Sequence, residues 1–251
     1  MDKGKSESPA VERFIMDFFA GEVPGEVFMR QVMIAEWIVP AKLSEEGPAF
    51  LCEEHEGKRV LTMFSSDEME EQYRIQVPTP SEFRIRTSGY QAILWLDPKV
   101  EQVWFNPGSE LAFTYTGDYL WLLDEWARGL EVEAMLQDPE AGEGLLIGLR
   151  EFDAFRVLVS RDDKSEYVIM APDDQGRKIA AIYTAEDAAM WGYLEAEERQ
   201  PEADLHIIKM GGSELFQRLI HLEIDGFVFN HAGPGRPRAF QKALINDILG
   251  A

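Results

Sequence analysis

Cys52-Glu53-Glu54-His55 spaces a thiol and an imidazole as one half of a zinc site would. Zinc needs about four N or S ligands, usually as two such pairs. Cys52 is the chain's only cysteine, so the second pair is missing and no metal is expected. Three more histidines, His206, His221 and His231, lie late in the chain. His231 follows Asn230 in "FVFNHAGPG" and would be the general base of any acid–base chemistry. No GxSxG turn accompanies it, and GxxxxGK[ST], HExxH and strand-borne GxGxxG are absent too. No catalytic residue and no cofactor are therefore assigned. Arg236, Arg238 and Lys242 form the concentrated basic patch, around what reads as a helix entry at Pro237; free N–H groups there would suit an anion. Acids cluster at Glu53, Glu54, Asp67 and Glu71, a candidate face for a basic partner. Glu53 and Glu54 are adjacent on an expected strand and so point to opposite faces, which argues against a catalytic dyad.

An echo in the chain positions these groups. "VWFNPG" (103–108) and "FVFNHAGPG" (227–235) both run apolar residues into Asn and then break the chain. A shift of 119 residues lays "HEGKRVLTMFSSDEM" (55–69) on "DQGRKIAAIYTAEDA" (174–188), and a shift of 124 lays Asn106 on Asn230. The pattern predicts an α+β fold of two tandem homologous units, 1–135 and 136–251, each a small mixed sheet with a β-hairpin flanked by helices. Strands are expected at "WIVPA", "RVLTMF", "EFRIRT", "QVWFN", "LHIIKM" and "GFVFN". Helices are expected at "SSDEMEEQY", at 119–130 with Gly129 near its end, and at "RAFQKALINDIL"; a linker is expected near 131–143. Asn106-Pro107-Gly108 and Asn230-His231 with Gly233 read as structural turns, in which each Asn side chain bonds to backbone. His231 faces Pro107 across the repeat, and proline cannot transfer a proton.

Composition narrows the function classes. With 45% hydrophobic residues the chain can build a core. Its net charge of −22 repels nucleic acid and anionic lipid and favours a basic protein partner. Residues 1–140 carry 12 basic and 27 acidic side chains, net −15, against 12 and 19, net −7, for the rest, so the first unit is the expected side for such a partner. There is no apolar run of membrane-spanning length and no leader-like N-terminus, and one cysteine suits a reducing compartment, so the cytoplasm is the expected location.

Trp37–Pro40, Phe64–Ser66 and Phe105–Gly108, in that order after an N-terminal helix pair, resemble the SseB-type family, associated by name with enhanced serine sensitivity and type III secretion. The second unit matches less closely: Val159 replaces Pro40 and Tyr183 replaces Phe64. The resemblance implies a soluble bacterial α+β protein and carries no catalytic residues. The expectation is a noncatalytic protein-binding module that neutralises or escorts a basic effector or toxin, or serves as a secretion-associated adaptor. The alternative is a small-ligand sensor or an enzyme with a pocket between the units.

Overall fold

A computed structural model describes residues 10–45, 47–78, 81, 83–161, 166–171 and 173–250. The fold is α+β, and it divides into two compact units, Met1–Ala127 and Arg128–Ala251.

Unit 1 begins with helices α1 (Ala10–Phe19) and α2 (Gly25–Ile34). Strand β1 (Glu36–Ser44) pairs antiparallel with β2 (Gly47–Phe50) and β5 (Phe83–Ser88). The chain then leaves that sheet. Leu51 still donates to the Pro40 carbonyl, but β3 (Cys52–His55) pairs with β4 (Lys58–Met63). Their two-residue turn, Glu56-Gly57, has φ of 52° and 75°. Positive φ at both positions matches the right-handed strand twist, and Gly57 makes it cheap. Helix α3 (Asp67–Gln76) is capped by Ser66, and α4 (Gly89–Leu94) by Ser88. Strand β6 (Gln102–Phe105) pairs parallel with β4 and antiparallel with β7 (Phe113–Thr116). Ile38 and Phe64 exchange backbone hydrogen bonds of 2.8 and 2.9 Å, which bridge β1 to the end of β4. The path across unit 1 is thus β5-β1-β4-β6-β7.

Unit 2 contains α6 (Gly142–Glu151), β8 (Phe155–Arg161), β9 (Glu166–Val168), β10 (Met170–Ala171) and β11 (Ile179–Tyr183). It continues with α7 (Glu186–Arg199), β12 (Asp204–Met210), α8 (Gly212–Ile220), β13 (Gly226–Phe229), β14 (Arg238–Gln241) and α9 (Leu244–Leu249). Its sheet runs β12-β8-β11-β13-β14, with β9 on β8 and β10 on β11. Strand for strand this is the path of unit 1, and in both the parallel pair is central (β4·β6 and β11·β13). Apolar residues cover both faces of the sheet. Phe155, Val157, Ile182, Phe227 and Phe229 pack with Leu149, Leu215 and Ile245 on one side, and Leu158, Ala181, Tyr183 and Val228 pack with Ala188, Ala189 and Ala196 on the other. A sheet buried on both faces reads as continuous apolar strands, hence "IAAIY" and "GFVF".

Two expectations fail at element ends. The helix at 119–130 is α5 (Gly117–Gln137), 21 residues long and continuous through the division between units. The expected linker near 131–143 is therefore mostly helical, and the division falls before the expected 135/136. Gly129 stands mid-helix because a Cβ there would lie 2.5 Å from the Thr184 carbonyl. Burial of Val132 and Leu136 outweighs that weak helix former. The expected helix "RAFQKALINDIL" opens as β14, whose Ala239 and Phe240 oppose Val228 and Phe227, and becomes helical only at Leu244.

Candidate functional site

The chain leaves the central parallel strands through one geometry in both units. Asn106 has φ of 46° and Asn230 has φ of 48°, and both are buried. Each donates its backbone N–H back along the sheet, to the Met63 and Ile182 carbonyls respectively, at 2.8 Å. Each Oδ1 accepts a backbone N–H from the neighbouring strand end, that of Ser65 at 2.8 Å and that of Thr184 at 3.0 Å. The hydroxyls of Ser65 and Thr184 donate to Glu12 and Glu133 at 2.7 and 2.8 Å. Asparagine tolerates the left-handed conformation better than most residues, and its short amide reaches nearby backbone. Ser65 is 7% exposed and Thr184 1%, too buried to meet a substrate, and neither has an imidazole partner. The constellation ties two strand ends to one helix. Sequence reasoning missed Glu12 and Glu133, which lie far from the corner in sequence with no local signature.

The residues after each Asn diverge. Yet both loops lie against equivalent helices: Gly108 is near Tyr73 and Gln76 of α3, and a Cβ at Gly233 (φ 89°) would lie 3.1 Å from Ala188 and 3.2 Å from Trp191 of α7. His231 shares a 3.0 Å hydrogen bond between Nδ1 and the Tyr183 hydroxyl, and its Nε2 is 3.3 Å from Glu195. Burial lowers its pKa against the opposing pull of Glu195. The neutral ring borders a 330 Å³ cleft inside unit 2 with Asp173, Arg177 and Asp225. Among the described residues no Ser, Thr or Cys lines that cleft. Asp173 accepts from the Arg177 side chain and from the backbone N–H groups of Gln175 and Arg177, which bring its pKa down to about 2.

Other sequence candidates separate. Cys52 and His55 are three apart on β3 and so face opposite ways. His55 is 3.0 Å from Glu53 and 3.1 Å from the Tyr73 hydroxyl, beside Trp104. Among the described residues no group of three or more His, Cys, Asp or Glu could hold a metal ion. The four acids do not make one free face. Glu53 accepts from the Tyr73 hydroxyl at 2.9 Å, and Asp67 pairs with Arg84 at 3.0 Å and Arg86 at 2.9 Å, while Glu54 and Glu71 are exposed. No helix begins at Pro237: Arg238 is a strand residue over the Phe240 ring, Arg236 precedes that strand, and Lys242, before α9, donates its ammonium to the Leu222 carbonyl. His206 sits on β12 at 3.0 Å from Asp204, and His221 caps the end of α8.

A surface that sequence reasoning did not single out lies on α7. Ala188, Ala189, Gly192 and Ala196 are its buried side. Its exposed stripe runs Glu186, Met190, Trp191, Leu194, Glu197, Glu198, with Met190 at 39%, Trp191 at 53% and Leu194 at 48% exposure. The corresponding stripe of α3, Glu68, Glu71, Gln72, Ile75 and Gln76, has one large apolar residue. Small residues buried every three to four positions were the available signal, since they assign the large ones to the other side.

No protein-family model and no curated protein matches this sequence. Among solved structures the chain is similar to Anabaena Tic22, described as a protein of protein transport, at 10% identity and a TM-score of 0.22 over 84% of this chain and 87% of that one. A superposition that poor carries no argument about fold or function.

Proposed function

We propose that the protein is a noncatalytic protein-binding module of two related units, and that α7 receives a basic, amphipathic segment of its partner. The observation that carries this reading is the apolar centre Met190, Trp191 and Leu194, bracketed by Glu186 on one side and Glu197 and Glu198 on the other. Exposed tryptophan surrounded by acids suits a contact with an apolar anchor and a cationic rim. The paired element order, the two Asn corners and the close entries of Gly89 onto Val32 and Gly212 onto Leu149 support descent of both units from one ancestor. Membership of the SseB-type family belongs to the same proposal, supported by Trp37–Pro40, Phe64–Ser66 and Phe105–Gly108. So does a role in escorting a basic effector or toxin or as a secretion-associated adaptor, and so does a cytoplasmic location. Among the described residues no helix is long and apolar enough to cross a membrane.

Affinity capture with the immobilised chain and its Trp191→Glu variant, side by side, tests the reading. A basic protein should be retained by the parent, lost by the variant and released by roughly 0.5 M salt, where exposed charges are screened. Equal retention on both would refute it.

A further inference from the structure

The core face of β1 in unit 1 is covered at Trp37, Val39 and Ala41, all fully buried. Further along that face the cover ends. Ile85 is paired with Val39 and Phe50 with Ala41, yet both border open space, because α4 stops at Leu94 and the next residue, Trp95, is 63% exposed. The result is a cleft of about 520 Å³ wholly within unit 1, walled by Phe50, Ile85, Trp95 and Leu96. That is the size of a small-molecule site. Among the described residues, Lys42 and one ion pair interrupt the apolar wall: the pair is the Arg59 guanidinium and the Asp97 carboxylate, 2.8 Å apart and each about two-fifths exposed.

We propose that this cleft binds a small zwitterion with an apolar side chain, an apolar or aromatic α-amino acid being the simplest. An arginine offers five donors and a carboxylate about four acceptor positions, so the mutual pair leaves each with capacity for a ligand. A ligand carboxylate pairs with Arg59 and a ligand ammonium with Asp97, while the side chain lies against Trp95 and Phe50. A simple anion would meet Asp97 and a chain of net charge −22, and a simple cation would meet Arg59 and Lys42. A zwitterion satisfies both signs, its carboxylate toward Arg59 and Lys42 and its ammonium toward Asp97, and brings no net charge.

The chain supplies its own reporter, because Cys52 lines this cleft and is the only cysteine. Burial pushes its thiol up, with the Arg59 contact opposing, so alkylation by iodoacetamide is slow and is followed over hours at about pH 7, where the phenylalanine ammonium stays protonated. In the full-length protein, L-phenylalanine should slow alkylation saturably. 3-Phenylpropionate and phenethylamine, each lacking one charge, should need at least about tenfold more for the same protection. Asp97→Asn should abolish the advantage of phenylalanine over 3-phenylpropionate. Absence of protection by phenylalanine, or equal protection by all three, overturns the proposal. The parent protein with three probes decides the matter even if the variant folds poorly. The outcome is independent of whether α7 binds a protein.

Discussion

Asn106 and Asn230 each do two jobs at once. They occupy left-handed backbone at φ of 46° and 48°, and their amides accept the N–H of Ser65 or Thr184. Asn106→Ala removes the acceptor of a buried N–H and adds a strained φ, a loss of about 2–4 kcal/mol in urea unfolding. Asn106→Gly relieves the backbone only, and should recover about 1 kcal/mol of that loss. If glycine proved no better than alanine, the backbone part of this account would be wrong. His231 makes a pH prediction. Burial holds its pKa below the ordinary 6.5, so between its folded value and 6.5 the unfolded chain binds more protons. Stability is therefore fully present above about pH 6.5 and falls as pH drops through that window. His231→Gln should flatten the dependence of the urea midpoint on pH there. An unchanged slope would assign the dependence to other groups.

At the scale of elements, close approach overrides propensity. Glycine to alanine inside a helix ordinarily stabilises by up to about 1 kcal/mol. Gly129→Ala should instead destabilise by about 1–3 kcal/mol, because the new methyl meets the Thr184 carbonyl at 2.5 Å. Gly144→Ala in α6, where a Cβ would meet nothing within 4 Å, supplies the contrast and should be neutral or stabilising. Thermal unfolding of the two variants in parallel checks the pair. Helix α7 shows the opposite lesson: its four small buried residues let it lie close over Tyr183 while Met190, Trp191 and Leu194 face outward.

For the whole chain, charge and domain division both prove local matters. The first 140 residues hold most of the net negative charge, but there Asp67, Glu70 and Glu53 are engaged with Arg84, Arg86, Arg74, His55 and Tyr73. The less acidic unit 2 carries the apolar stripe with acids at both ends. The division between units lies inside α5, and unit 2 depends on that helix's second part. Val132 and Leu136 are buried in its core and Glu133 accepts from Thr184. A fragment 128–250 should unfold cooperatively in urea, whereas one starting at 138 should lack a cooperative transition. Equal stability of the two fragments would deny α5 that role.

The sequence by itself determined the α+β class, the six strands expected above, the helix at "SSDEMEEQY" and the turns at Asn106 and Asn230. These rest on local signals: periodicity, capping residues and turn chemistry act over a few positions. Where α5 ends, whether "RAFQ" is strand or helix, and which acids are free depended on partners distant in the chain. Val132 finds a core, Ala239 finds a ladder beside Val228, and Asp67 finds two arginines on β5. The candidate sites belong to that second kind. Cys52 and His55 looked like a pair until the strand turned them to opposite faces. Trp95 and Trp191 are large and apolar, yet the packing leaves each exposed, because burial is a property of what surrounds a residue and not of the residue itself.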